Sequence, residues 1–431
     1  MAWRMVCVAL AVASVALSWR QAGMLRATVP EGQGSAIDDA LRSGDEERQE
    51  SALARLATDT ERARRHVAAA ARLLTHSRPE IRVAAARAVC AAGDKALPYL
   101  PQLLRLMTDE GKTGPRGDTI PVWYQAAESV GSLGKPVVPH LIPWLSADTP
   151  FKCRAAAIAL HEVGPDAKAA VPTIARLLKK GDMEYTLELL HALIGIGPAG
   201  VEALPQVIAT LDHDNFHAQY WSCKAIGAMG PAARAAVPAL ARKMKKSAPS
   251  VRRHAALALG KIGPGVGQVG VAALIACLDD PVHPVREDCL TALAQIGPAA
   301  RPAASVLRDK LVEKKITPVA RALYAYYRIT GDLEFVKPRL LARFGGLNAR
   351  IEVLPMVAAM GHEARFALPQ VIECARSRDE VVRLLAIEAL EKIGVYNDEV
   401  IAIARELGAE DESDPDVQRT ARRILAAAGK Q

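Results

Sequence analysis

Three short segments carry residue types whose spacing could support chemistry. Gly265, Gly267 and Gly270 spell G-x-G-x-x-G. That spacing cradles a phosphate when it follows a strand and opens a helix inside a βαβ unit. Here the preceding residues read as a helix, so the segment is expected to be a repeat turn with extra glycine. Gly111, Lys112 and Thr113 resemble the end of a phosphate loop, but its first glycine is replaced by Leu106. His213, Asp214 and His217 form a compact group of metal-capable side chains. A metal site needs three or more converging ligands and a supporting shell. Strung along a loop, these residues read instead as a solvated turn and helix cap. Cys90, Cys153, Cys223, Cys277, Cys289 and Cys374 contain no C-x-x-C pair, which leaves zinc ribbons and haem attachment unsupported. No Ser–His–Asp set or carboxylate pair stands out. No catalytic, cofactor-binding or metal residue is therefore assigned, and the chain is read as not an enzyme.

The elements that position these residues are set by a recurring glycine. It falls at Gly93, Gly134, Gly164, Gly197, Gly230, Gly263, Gly297, Gly331, Gly361, Gly394 and Gly429, with gaps of 30 to 41 residues. A period in that range marks stacked repeats. Ahead of Gly263 lie Ala255, Ala258, Leu259 and Ile262, and ahead of Gly394 lie Ala386, Ala389, Leu390 and Ile393. This is the spacing of one buried helical face. The glycine is expected to close that helix in a left-handed conformation. Pro165, Pro198, Pro231, Pro264 and Pro298 follow at once. A second helix is expected to start near Pro101, Pro172, Pro205, Pro238 and Pro369, since proline suits a first turn. Alanines five before the glycine (Ala88, Ala159, Ala192, Ala225, Ala258, Ala292, Ala389) would let neighbouring helices approach. The Gly331 unit departs with Tyr326 and Tyr327, the Gly134 unit with Ser129, and Val271 stands where proline is expected.

The segments SVRRHAALALGKIGPG, HPVREDCLTALAQIGPAA and EVVRLLAIEALEKIG resemble HEAT repeats, most closely the short bacterial, phycobilisome-lyase type. Arg82, Arg252, Arg286 and Arg383, eleven before their glycines, match a position that is often arginine in that family. The resemblance covers roughly residues 45–429. It implies an all-α, right-handed α-solenoid of about eleven helix-turn-helix repeats plus a closing helix at about 414–428, with second helices lining the concave face. It also implies a non-catalytic scaffold or adaptor for a protein or other polymeric partner, with a HEAT-like lyase or enzyme subunit as the alternative. His–Glu pairs ligate iron in one enzyme family built on this repeat, the deoxyhypusine hydroxylases. His161–Glu162 and His362–Glu363 fall out of register with each other, three before one glycine and one after another, so that site is not expected.

Apolar residues make up 50% of the chain and aromatics 4%, which suits helices packed through Ala, Leu, Val and Ile. Arg4 precedes an apolar run from Met5 to Leu17, too short to span a bilayer. With small residues at Ala16 and Ser18, residues 1–18 read as a signal peptide or short membrane anchor, and 19–44 as a linker. The expected location is exported, periplasmic or extracellular, or membrane-anchored, with a frayed apolar helix on a cytoplasmic protein as the alternative. Cys7 lies in the apolar run. The other six cysteines read as small core residues; Cys277 and Cys289, on successive helices, are the one pair that could meet.

The formal net charge of +8 is uneven. From Asn215 to Leu278 there is no Asp or Glu, yet the window holds Lys224, Arg234, Arg242, Lys243, Lys245, Lys246, Arg252, Arg253 and Lys261. Residues 379–416 carry twelve acids against three bases. Cations at a helix end are favoured by its dipole, so a solvated helix terminus accounts for part of the cluster. The functional reading is a docking site for an anionic partner, steered by the local field. Arg242, Lys243, Lys245, Lys246, Arg252 and Arg253, with Tyr220 and Trp221 for flat contact area, are the partner-binding candidates. The partner class is a protein with an acidic surface. A nucleic-acid or polyanion binder using the 215–278 window is a further alternative, which export would disfavour. Peripheral or N-terminal membrane association follows only from residues 1–18.

Overall fold

The computed structural model describes residues 34–114, 120–145, 150–180, 183–409 and 414–429. The signal-peptide or anchor reading of residues 1–18 lies outside these. The chain divides into two compact units, Met1–Ala203 and Leu204–Gln431.

The described part of the first unit opens with a helix, Gly34–Arg42. Four helix pairs follow: Glu46–Ala57 with Thr60–Arg72, Pro79–Cys90 with Leu100–Leu106, Val122–Gly131 with Val138–Leu145, and Pro150–Val163 with Val171–Lys180. A first helix, Met183–Ile196, ends it. The second unit begins with that helix's sequence partner, Leu204–Thr210. It continues with Phe216–Met229 and Val237–Lys246, Pro249–Ile262 and Gly267–Ala276, His283–Ile296 and Ala303–Val312, and Val319–Thr330 and Leu333–Leu341. Leu347–Met360 with Leu368–Ala375, Glu380–Ile393 with Asp398–Leu407, and the closing helix Pro415–Ala428 complete it. Eleven pairs and a closing helix are thus present among the described residues, as the glycine ladder predicts. The fold is an all-α solenoid. Among the described residues the one strand pair is a short ribbon, in which Lys112 and Thr113 pair with Pro121 and Ile120.

Of the linker expected over 19–44, residues 19–33 lie outside the described residues, and Gly34–Arg42 forms a helix. Ile37 and Leu41, one turn apart, are buried on it, and the Asp38 carboxylate meets His66 Nδ1 at 2.8 Å. This extra helix covers the apolar face that the first pair would otherwise expose, as a terminal cap must in a repeat stack.

The ladder glycines adopt positive φ, but most are not left-handed. Gly263 has φ 70° and ψ −141°, a region essentially restricted to glycine. The cause is the next element: a 3-10 turn restarts at the glycine itself and runs to Val266, so the chain reverses instead of unwinding. Only where no such turn follows is the glycine left-handed, as at Gly394, φ 67° and ψ 27°. Gly429 departs from the ladder, with an ordinary φ of −73°. Pro101, Pro172, Pro205, Pro238 and Pro369 are each the second residue of their helix. Where Val271 replaces proline, the second helix starts early, at Gly267.

First helices pack on the first helices of neighbouring repeats, and the predicted alanines are buried there. A second set of small residues completes the contact. A Cβ placed on Gly260 would stand 2.8 Å from Ala292 Cα, and one on Gly131 would stand 2.5 Å from Ala159 O. The residue three before the ladder glycine thus meets the alanine of the next repeat. In the irregular repeats Tyr326 and Ser129 are buried, while Tyr327 is only partly so; the Ser129 hydroxyl donates to Gln125 O at 2.8 Å.

Candidate functional site

The basic segment 242–254 runs from the end of one second helix, Val237–Lys246, into the next first helix, Pro249–Ile262. Its charges do not share one fate. Arg252 donates two bonds to Asp280, at 2.7 and 2.8 Å, and a third to Ser247 O at 2.7 Å. Arg253 pairs with Asp288 at 2.7 Å. Arg242 and Lys243 both reach Asp212, at 3.4 and 3.1 Å. Lys245 and Lys246 are exposed and make no ion pair among the described residues. The three acids that answer the window lie just beyond its ends in sequence.

Three candidates do converge. Arg242, Lys243 and Lys246 line an open groove of about 400 Å³, together with Asp212, Phe216 and Gln219. Phe216 is 50% exposed, unlike most large apolar side chains of the chain. It was not among the sequence candidates. The available signal was its place: it opens a first helix where Pro79, Pro150 and Pro249 open theirs.

Tyr220 and Trp221 lie elsewhere, on the surface of the first helices. Their rings meet edge to face at 5.6 Å, and Tyr220 meets His254 of the next repeat, also edge to face, at 4.3 Å. Lys224 Nζ sits 4.3 Å from the Trp221 ring centre and 5.5 Å from that of Tyr220. Burial, and then the charge of Lys261, hold the Lys224 amine below its ordinary value. Burial likewise lowers His254, and it raises Tyr220 against the opposing effect of Arg253.

The motifs weighed as chemistry resolve into structure. His213 Nδ1 accepts from Asn215 N at 2.9 Å, and the Asn215 side chain caps the helix by accepting from His217 N at 2.8 Å. No group of three or more His, Cys, Asp or Glu among the described residues is placed to hold a metal. His161 donates to His191 O at 2.9 Å and stacks on that ring, while His362 donates to Ile393 O at 3.3 Å. Gly265 and Gly267 belong to a 3-10 turn and a helix start, with a helix before them. The six cysteines from Cys90 onward are buried free thiols. The Cys277 and Cys289 thiols do meet, and burial first, then Cys277, pushes Cys289 far up.

A family profile described as HEAT repeats matches residues 204–294, which contain both the groove and the aromatic cluster. Residues 204–294 are thus identified as HEAT repeats. Among solved structures, yeast importin-beta (Kap95p) is similar over 91% of this chain and 61% of its own, with 13% identity and a TM-score of 0.60. The Kap95:Nup1 complex is similar over 98% and 66%, with 12% identity and a TM-score of 0.50. An engineered protein is similar over 91% and 98%, with 19% identity and a TM-score of 0.39. The chain thus spans about two thirds or less of the two Kap95 chains, and at these identities the likeness concerns the fold. No curated protein matches the sequence.

The arginine eleven before the glycine has one recurring task. Arg82 donates two bonds to Asp109, at 2.7 and 3.1 Å, and others to His76 O and Ser77 O. Arg286 reaches Thr317 and Asp280 O, and Arg383 reaches Ser377 O. Each ties the start of a first helix to loop backbone or to the next repeat's loop. Arg252 follows this pattern, so its charge is taken up by the loop of the next repeat.

The first unit carries a polar row on its own first helices. Arg87 donates to Gln125 at 2.9 Å, which in turn donates to Thr113 at 2.7 Å. Arg154 holds Glu188 at 3.0 Å. Burial and the charge of Glu162 raise Glu128 to about 7, against the opposing pull of Arg87 and a bond from Tyr124.

Proposed function

We propose that the chain is a non-catalytic scaffold that binds a protein partner through an acidic segment. The observation that carries this reading is the open groove of Phe216, Arg242 and Lys246, where an exposed aromatic ring lies beside two cations. Such a combination gives flat apolar contact and charge steering to an extended acidic chain. The HEAT-repeat fold supports it, because stacked repeats offer extended surfaces and few convergent sites. A nucleic-acid reading is less well supported: the Trp221 face that would stack on a base is covered by Lys224.

A peptide-display library of acidic and neutral segments, selected on the whole protein and on the Phe216→Ala, Arg242→Ala, Lys246→Ala triple variant, tests this. Enrichment of Asp- and Glu-rich peptides that is lost on the variant is expected. Equal enrichment on both proteins would remove the groove from the reading, and no enrichment at all would remove the acidic partner. We further propose export or N-terminal anchoring, resting on Arg4 and the apolar run Met5–Leu17. A reporter fusion that remains entirely in the cytosol would overturn it.

A further inference from the structure

The groove of Phe216, Arg242 and Lys246 has a counterpart two repeats onward. The ladder glycines Gly230 and Gly297 set the register between the two. In that register Asp212 matches Asp279, and Lys243 matches Lys310. The match extends to their contacts. Lys243 Nζ stands 3.1 Å from the Asp212 carboxylate, and Lys310 Nζ is paired with that of Asp279. Both lysine side chains are mostly buried, on the second helices Val237–Lys246 and Ala303–Val312. Each ties the segment before a first helix to the second helix of the same repeat. The Lys243–Asp212 pair is therefore part of the repeat framework.

The other charged groove residues are not. In the later repeat His283 stands in the place of Phe216, Asp309 in that of Arg242, and Glu313 in that of Lys246. Glu313 is answered internally by Lys315, at 2.9 Å. Lys246 makes no ion pair among the described residues. Arg242 shares Asp212 with Lys243, at the longer distance of 3.4 Å and with 61% of its side chain exposed. One carboxylate thus serves two cations and is held closely by one of them. Arg242 and Lys246 are four residues apart on a helix, so they share a face. With Phe216 they line the same open groove of about 400 Å³.

We infer that Asp212 stands in for a partner's carboxylate: Arg242 leaves it and, with Lys246, closes on an acidic side chain whose apolar neighbour rests on Phe216. This rests on the scaffold reading above and adds how the same groove is regulated. Asp212 stays on Lys243 throughout, so the repeat framework is undisturbed. The exchange replaces one charge-assisted contact of Arg242 by another. An internal competitor of this kind limits affinity, chiefly by hastening release.

The probe is a fluorescein-labelled octapeptide of alternating Glu and Phe, with a twin in which Gln replaces Glu. Binding to the full chain is followed by polarisation at low salt. The native chain is compared with Asp212→Asn, Asp214→Asn, Arg242→Ala, and Asp212→Asn combined with Arg242→Ala. Asp214 is exposed in the same loop and does not line the groove, so its loss changes the local field alone. Asp212→Asn is expected to bind the Glu peptide about three- to fivefold more tightly, the scale of one exposed ion pair. Asp214→Asn should change affinity by less than about 1.5-fold. The gain from Asp212→Asn should vanish once Arg242 is absent. Equal gains from both Asn variants, a gain that survives the loss of Arg242, or an equal gain for the Gln twin would overturn the inference. A measurement on the native chain stands apart from any effect of the variants on folding. The Arg242 Nε–H signal in NMR should shift on peptide binding while the Lys243 ammonium signal stays in place. Movement of both, or of neither, would overturn the inference. Binding of the Glu peptide that ignores Asp212→Asn would sink the stand-in role and leave the scaffold reading intact. Failure of the native chain and Asp212→Asn alike to bind the Glu peptide would remove the acidic partner itself.

Discussion

Arg252 and Asp280 join two repeats through a two-pronged bond, Nε to Oδ2 at 2.7 Å and Nη2 to Oδ1 at 2.8 Å. Asp280 also accepts from Val282 N at 2.9 Å, so the same carboxylate shapes the loop that precedes the next first helix. The arginine side chain is 14% exposed and the aspartate 8%. Removing one partner strands the other charge in a place water reaches poorly. Arg252→Ala or Asp280→Ala is therefore expected to cost about 3 kcal/mol in urea unfolding. Arg242→Ala, whose ion pair is exposed, should cost less than about 1 kcal/mol.

The same pair sets an acid limit. Burial raises the Asp280 pKa, but the bonds from Arg252 and Val282 N and the charges of Arg252 and Arg286 outweigh it, and the net shift is downward. A carboxyl depressed in the folded state stabilises above its unfolded value, about 3.9. That contribution should fade as pH falls from there through the folded value. Stability measured from pH 5 down to pH 2 should fall more steeply in the native chain than in Asp280→Asn.

Glu128 works in the opposite sense. Its folded value is raised to about 7, so the folded state holds a proton that the unfolded state has released. Stability should then decline as pH rises from about 4.5 toward 7. Glu128→Gln should flatten that decline and leave the variant more stable than the native chain at pH 8. Urea midpoints of the two proteins at pH 5 and pH 8 check the sign.

The two kinds of ladder glycine should respond differently to substitution. Gly394 is left-handed, which asparagine tolerates, so Gly394→Asn is expected to cost under about 1 kcal/mol. Gly263 has ψ −141°, and Gly263→Asn should cost about 1–3 kcal/mol although nothing crowds the site. Gly260→Ala should also destabilise, by about 1–3 kcal/mol, for a different reason: its methyl would press on Ala292. Thermal melts of the three variants separate backbone strain from crowding only if Gly260→Ser is worse than Gly260→Ala.

Burial pushes the Cys90 and Cys223 thiols up to about 12. Since the thiolate is the reactive form, neither should be alkylated by iodoacetamide at pH 8 in the folded chain. Mass spectrometry should find both labelled once denaturant is added. Prompt labelling of either without denaturant would show that these helices open locally.

Much of the fold was legible because helical repeats write it locally. Ala255, Ala258, Leu259 and Ile262 mark a buried face, Gly263 ends it, and Pro238 or Pro369 opens a second helix. The helix at Gly34–Arg42 was hidden because it spans only about two and a half turns, follows Gly32 and opens on Gly34, glycines that resemble a linker; only Ile37 and Leu41 hint at it. The candidate site was less legible. A run of sequence without acids need not be a surface without acids, because side chains pair across repeats about thirty residues apart. Asp212, Asp280 and Asp288 lie outside the window and take up four of its charges. Lys224 and Lys261 were counted in the window but not singled out. The Lys261 stem lies against Gly227, a packing contact that composition does not register.

The reach of Arg252 also decides where this protein can be cut. Its partner lies 28 residues onward, past the second helix and into the following loop. A fragment ending at the obvious punctuation mark, Gly263, would keep the arginine and discard the aspartate. One ending just before His283 would keep both, with Val282 still folded onto Asp280. The smallest portable piece of this chain is therefore staggered against its written period, and shortened or transplanted versions should be trimmed at the loop acids instead of at the glycines.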